Sequence, residues 1–359
     1  MKFRILPVML AAAVFAAYPA HAQEAAAQAQ AAPAPATPAD QAANQPAEKG
    51  ELSIIEENDS LFSDSDKHYT QGARASYLSA PLTAGWRYDA FDFLGPLFPS
   101  SADRQRRFDW IVLGQSIFTP MNLKLSPPSA TDRPYAGWLY TGGELLQENG
   151  GNSLTGFEVL LGVVGPAALG RQVQNDWHQF IVGIPGGAGW NNQLKNEPAI
   201  ALSYDKHWRL GIVELGGVGV DFVPEADVTA GNVFTYGAVG GIIRVGSSLD
   251  TDYGPPRIRP GPSGTDWVDP SRRSASFGYY FFAGGEGRAV AQNIFLDGNT
   301  FAHSRSVDKK PLVGDLTAGV AMSWKDEIRF DLGLLSRTKE FYGQQGQDSY
   351  AGFRFTFKL

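Results

Sequence analysis

Apolar and polar residues alternate with period two along most of the chain beyond residue 50, which predicts β-strands rather than helices. The carboxyl end is the clearest case: Phe353, Phe355, Phe357 and Leu359 share one face, and Arg354, Thr356 and Lys358 the other. Upstream, the pattern predicts strands over 51–58, 69–79, 108–119, 136–148, 154–165, 197–208, 210–223, 232–246, 274–291, 312–324 and 326–338. The segment 210–223 alternates poorly at its middle. With the last strand this makes about twelve, an even number of the kind a single-chain membrane barrel requires.

Alternation alone also fits a soluble sandwich. No apolar run after Gly50 is long enough to span a bilayer as a helix, so the chain is either soluble or an all-β, antiparallel transmembrane barrel. The aromatic-rich terminal strand favours the barrel. Trp138 with Tyr140, Trp208, and Tyr279 with Tyr280 fall near segment ends, as an interfacial girdle would, although strands favour aromatics in any setting. In a barrel, the long connections 80–107, 247–273 and 292–311 would be extracellular loops, and the tight turn at Lys325-Asp326 would face the periplasm.

One stretch breaks the pattern. Gly165 to His178 reads as a short helix inserted among strands, with Pro166 suited to a first helical position. Gln174 and His178 are four apart, so a helix projects both from one face. An imidazole beside a carboxamide is a start for water activation; a histidine packed on a helix face is the plainer reading.

Composition narrows the classes. The chain has 359 residues, with 30 Lys+Arg against 37 Asp+Glu and a net charge of −7, which argues against a nucleic-acid partner. The absence of cysteine excludes disulfides and thiolate metal sites. Mean hydropathy is −0.20, which looks soluble, but barrels hide their apolar face in alternation. At the amino end, a basic Met1–Arg4, an apolar Ile5–Ala17 and Ala20-His-Ala22 predict a secretory signal peptide over 1–22. Residues 23–50 are rich in Ala, Pro and Gln and predict a disordered tether. The barrel is then expected over 51–359.

Polar clusters supply candidate chemistry. Glu56-Glu-Asn58-Asp59 ends the first strand, and Asp64 to Thr70 leads into the second, so Asn58, Asp59 and Thr70 can share one small region. Hard oxygens of this kind suit Ca²⁺, but no spacing matches an EF-hand, and a solvated acidic turn explains the cluster equally simply. Arg133, in Thr131-Asp-Arg-Pro-Tyr-Ala-Gly-Trp138, is available to a phosphate or to Asp132, and Lys124 adds a cation upstream. Gln193, Asn196 and Glu197 are placed to buttress the helix. His68, His207 and His303 show no partner pattern. No nucleophile elbow, Rossmann fingerprint or P-loop is present.

Taken together, Glu57-Asn-Asp59, Tyr69-Thr-Gln-Gly72, Asp132-Arg-Pro-Tyr-Ala-Gly-Trp138, Gly165-Pro166 with Gln174-Asn-x-x-His178, and Gly189-Trp with Gln193 resemble the outer-membrane lipid A 3′-O-deacylases of Gram-negative bacteria. The resemblance covers most of 51–359 and is strongest from 56 to 200. It implies a twelve-stranded barrel in the bacterial outer membrane that cuts the ester holding the 3′ acyloxyacyl group of lipid A with Ca²⁺, acting as a monomer. By the same resemblance His178 is the general base. Asn58 and Asp59 lie beside the metal and the oxyanion, Thr70 supplies a hydroxyl, and Gln174 flanks the histidine. Lys124 and Arg133 would bind substrate. One feature departs from the family: no acid follows His178 in Gln179-Phe-Ile-Val-Gly-Ile-Pro185. Glu197 or Asp176 substitutes, or the metal site is altered, or activity is reduced. A phospholipase and a non-catalytic small porin are the alternatives.

Overall fold

The computed structural model describes residues 49–59, 67–177, 179, 186–216, 218–258, 267, 269, 276–325 and 327–359. The expected signal peptide and all of the tether but Lys49 and Gly50 lie outside these residues, as does His178.

Thirteen strands among the described residues form one antiparallel sheet. In chain order they are β1 (Glu51–Asn58), β2 (His68–Leu78), β3 (Arg104–Thr119), β4 (Ala136–Asn149), β5 (Ser153–Val164), β6 (Glu197–Trp208), β7 (Ile212–Leu215), β8 (Val218–Gly231), β9 (Phe234–Gly246), β10 (Phe277–Asn293), β11 (Leu312–Trp324), β12 (Ile328–Arg337) and β13 (Asp348–Lys358). β1 pairs with β13, and β6 pairs with β8 from Ala201↔Gly231 to His207↔Glu225. The short β7 then takes over the place of β6 along β8. The wall is therefore a closed antiparallel barrel of twelve strands, and closure leaves no edge to be paired from outside.

The expected strand over 210–223 is corrected here. Gly216 adopts φ 62°, which glycine alone takes without strain, and the chain turns there. Β-structure continues from Val218 to Gly231, through Pro224, which on sequence grounds argues against a strand.

Alternation separates two environments. Phe281, Ile243, Val239, Leu316 and Leu334 point outward and are exposed, as an apolar lipid-facing band requires. Phe353, Phe355 and Phe357 share this outer face, with rings 5.9 Å and 6.4 Å apart in succession. Arg354 and Thr356 point inward and are buried. The girdle expectation holds only in part: Trp138, Tyr140 and Tyr280 are buried inward, whereas Tyr279 is exposed and Trp208 half-buried.

The interior is polar but filled. Arg244 bonds Asp221 through Nε (2.9 Å) and Asp252 through Nη1 (2.5 Å). Arg329 joins Asp252 to Asp331, and Arg354 Nε reaches Asp331 at 2.5 Å. In this network each buried charge meets an opposite one, which offsets the cost of burying it.

Two long connections are not where the sequence analysis expected them. Register puts Glu51 opposite Leu78, Gly246 opposite Tyr280 and Trp324 opposite Phe277. The chain after Leu78 and after Gly246 therefore leaves the wall at the same end as the tight turn at Lys325 and both termini of the wall. In the first connection, α1 (Trp86–Phe93) lies on the outer face of the wall, where Phe91 and Phe98 pack near Leu145, Phe108 and Phe157. The second connection enters the lumen. Asp252 meets β9 and β12, the Tyr253 hydroxyl donates to Glu148 Oε1 (3.1 Å), and Arg257 Nε donates to Glu57 Oε1 (2.6 Å). Only 294–311, opening with α3 (Ile294–Asp297), sits at the opposite end, as expected.

Candidate active site

The candidate residues gather at the end away from the chain termini. β1 ends on Asn58, which pairs in register with Gln71 of β2. Strand alternation sends Glu57 inward, where it accepts from the Tyr69 hydroxyl (2.9 Å), and Asn58 outward. On the outer face Gln71 Nε2 donates to Glu56 Oε1 (2.9 Å). The β2–β3 register slips between Tyr69 and Gln71, so Thr70 occupies a bulge. Its Oγ1 lies 2.7 Å from that of Thr119. The backbone N–H of Asp59 donates to the Thr70 carbonyl (3.4 Å), and Asp59 Oδ2 accepts from the Lys67 N–H (2.6 Å). Asn58, Asp59 and Thr70 are thus brought together, as the sequence pattern anticipated, and all three are buried.

Beside this corner, over β3 and β4, lies a helical lid. Pro166–Ala168 forms a single 3₁₀ turn, Leu169 takes φ 60°, and α2 (Gly170–Trp177) begins only after it. The helix therefore starts four residues later than Pro166 suggested. Gly170 sits against Gly137 of β4: a Cβ on either would lie 3.2 Å or less from the other's backbone, so both must be small for the helix to seat. Gln115 Nε2 donates to the Ala168 carbonyl (2.6 Å), and Asn196 Oδ1 accepts from the Ala167 N–H (2.8 Å). Asn196 thus buttresses the turn before the helix, as expected.

Gln174 is buried and its Oε1 accepts from Trp190 Nε1 at 2.7 Å. Trp190 packs with Tyr135 and Ile117, and Val173 of α2 joins them. Ile117 is two residues from Thr119, so α2 is fixed to the strand whose end meets Thr70. In the described structure Gln174 holds the lid to the wall.

The remaining candidates divide. Lys124 is exposed on the loop between β3 and β4, which Ala188 N–H ties to the Leu123 carbonyl (2.8 Å) beside the lid. Arg133 is fully buried, with Nη1 donating to Glu340 Oε2 (3.3 Å) and its guanidinium 4.8 Å from the Phe118 ring. Burial pulls its pKa below the ordinary value, and Glu340 opposes this. Asp132, the internal partner considered from sequence, instead accepts the backbone N–H groups of Arg133 and Met121, each at 2.8 Å. Arg133 is directed into the wall's interior and is not placed to meet a lipid phosphate.

The two acids considered as substitutes are placed differently. Glu197 accepts from Asn232 and Asn299 side chains and from the Thr300 and Phe301 N–H groups, so it clamps loops together. Asp176 is exposed. Among the described residues, no group of three or more carboxylate or imidazole side chains surrounds a common point. The donors at Asn58, Asp59 and Thr70 are nonetheless hard oxygens, the type a Ca²⁺ ion takes.

Sequence reasoning missed Thr119, which carries no motif, and gave no role to Glu57 or Trp190, which it held only as parts of matching stretches. It also left His68 without partners. His68, at φ 65°, is buried with Nδ1 2.7 Å from Asp348 Oδ1 and Nε2 3.8 Å from Asp132, tying three loops at this end.

A family model described as "Outer membrane protein LpxR" matches residues 8–359. The chain belongs to this family. It is the family of outer-membrane lipid A 3′-O-deacylases that the motifs resemble, and membership places the protein in the bacterial outer membrane among the lipid A deacylases. Among solved structures, LpxR from Salmonella typhimurium superposes with a TM-score of 0.67 at 23% identity, covering 86% of this chain and 100% of that one. This likeness supports the LpxR-type barrel fold. The β domain of the Bordetella autotransporter BrkA gives a TM-score of 0.39 at 9% identity over 88% of this chain and 99% of that one, too low to bear on the argument. Comparison with curated protein sequences gives no match.

Proposed function

We propose that the protein hydrolyses the ester that holds the 3′-linked acyloxyacyl group of lipid A, using water activated by His178. The observation that supports this reading is that Asn58, Asp59 and Thr70 meet at one end of the wall, on strands next to the β3–β4 face on which α2 is seated. A membrane lipid reaches such a site by lateral diffusion, without entering the lumen.

In this reading neutral His178 removes a proton from water as the oxygen attacks the ester carbonyl carbon. Negative charge builds on the carbonyl oxygen, where the Asn58 amide and the Thr70 hydroxyl are the donors at hand. The bond between the carbonyl carbon and the sugar 3′ oxygen breaks, and the proton passes from His178 to that oxygen. The products are a free acyloxyacyl acid and a sugar hydroxyl. A Ca²⁺ held by Asn58 and Asp59 would polarise the ester carbonyl and offset phosphate charge. Gln174 positions the lid through Trp190, and exposed Lys124 faces the substrate head group.

Mass spectrometry of lipid A from cells with and without the gene tests the proposal. Loss of one acyloxyacyl mass is expected in the presence of wild type and not of His178→Ala. Unchanged lipid A with rising lysophospholipid would instead identify a phospholipase.

A further inference from the structure

Asp59 also borders a shallow hollow of about 380 Å³ on the outer wall, with Leu316, Leu334, Ser336 and Ser349. A neighbouring hollow shares Leu316 and Ser336 and reaches Gly287, Gly314 and Thr338. A third, of about 1080 Å³, shares Gly287, Gly314 and Thr338 and continues to Gly237 and Val239. The three form one trough that runs from the candidate site over β13, β12, β11, β10 and β9, on the flank away from α2.

The trough differs from the rest of the lipid-facing surface in two ways. Its floor lacks side chains where Gly237 and Gly287 face outward, and a Cβ added at either meets open space. Its rim carries two cations, Lys310 and Lys339. Lys310 rests 4.4 Å from the Tyr342 ring, and Lys339 is exposed. Of the acids that border it, Glu286 and Asp315 are buried and bonded to Arg288 at 2.8 and 2.9 Å, and Asp227, half-buried on β8, lines the far end of the hollow. The two lysines therefore add positive charge to the rim of a mostly apolar hollow, on the side away from Asp227.

We propose that this trough seats the part of the substrate remote from the scissile ester, with acyl chains along the floor and the phosphate of the distant sugar at Lys310 and Lys339. The proposal rests on the deacylase reading above. Strands in a sheet lie about 4.8 Å apart, so two to three steps from β1 put the lysines roughly 10–15 Å around the wall from Asn58. A disaccharide with a phosphate at each end spans such a gap. Lys124 lies on the opposite flank, so the two cationic sites bracket Asn58 and Asp59. The occupant is thus a doubly phosphorylated saccharolipid of the same leaflet.

The test compares two substrates in phospholipid vesicles: bisphosphorylated lipid A, and the form lacking the phosphate on the sugar remote from the ester. Wild type, Lys310→Ala/Lys339→Ala and Gly287→Leu are assayed, each first checked as a folded barrel by its heat-dependent shift on a gel. For the double lysine variant, KM for the bisphosphorylated form is expected to rise roughly tenfold, the worth of a charge-assisted hydrogen bond, with kcat and the other substrate unchanged. Gly287→Leu, which fills the floor, raises KM for both. An unchanged KM in the lysine variant, or an equal rise for both substrates, overturns the trough. Wild type that hydrolyses neither substrate overturns the deacylase reading instead. The trough is then judged by direct binding of the same variants to vesicles bearing each lipid, where loss of phosphate discrimination supports it and equal retention sinks it.

Discussion

Gln174 shows how a residue's neighbours decide its role. From the sequence its value lay in being four residues before His178; in the fold its oxygen is the acceptor for a buried indole N–H. Gln174→Ala should cost about 1–3 kcal/mol, because the Trp190 N–H loses its acceptor in a dry site. Gln174→Glu keeps an oxygen there and should retain most of the stability, which urea unfolding of the two variants would check. His178→Ala should leave the unfolding midpoint near wild type and lower deacylation about a hundredfold or more, the usual worth of a general base. If activity survives that change, another residue takes the proton. Asn58, Asp59 and Thr70 were legible because they cluster within two adjacent strands. Thr119 was not, since it acquires its role through a bulge whose geometry no spacing records, and the Gly189-Trp stretch was seen without the Trp190–Gln174 bond that gives it one. Arg133 was misjudged because an arginine at a strand entrance reads alike whether it faces a phosphate or Glu340.

Among the elements, the connection after β9 departs most from expectation. Its Pro-, Gly- and Asp-rich composition signals a loop correctly but says nothing about which side of the wall it takes. Asp252 settles that, since a carboxylate facing Arg244 and Arg329 belongs where those arginines already point inward. Burial alone would raise its pKa, but the two guanidiniums outweigh that and hold it below the usual carboxylate range. A depressed folded pKa means the stabilisation is fully present above the unfolded value of about 4 and is lost as pH falls below it. Urea should therefore unfold the barrel more easily at pH 3 than at pH 7, and Asp252→Asn should shrink that difference. The same variant should cost about 3–5 kcal/mol at pH 7, as removal of one member of a buried ion pair does. An unchanged pH response would show that other carboxylates carry the acid sensitivity.

For the whole molecule, the period-two pattern predicted the architecture well, because each strand of a closed barrel sees lipid on one side and lumen on the other. Twelve strands were counted from sequence and twelve form the wall, although the strand expected over 210–223 straddled the turn at Gly216 and runs on unforeseen through Pro224 to Gly231. The inside-out arrangement makes a further expectation. Phe281, exposed on the outer face, should tolerate Leu but not Arg, which costs up to about 2–4 kcal/mol near the bilayer midplane. Refolding yield into vesicles measures this, and equal yields for Leu and Arg would place the residue outside the hydrocarbon layer. The chain that climbs through the lumen has a last consequence. Asp252, Tyr253 and Arg257 are bonded to β9, β12, β4 and β1, so this stretch is tied across the lumen by ion pairs and a hydrogen bond rather than hung as a hinged flap. In a planar bilayer under voltage the protein should give no conductance steps, and Asp252→Asn should be the first variant to leak. A cell can thus carry this barrel at high copy number without short-circuiting the permeability barrier whose lipid it trims.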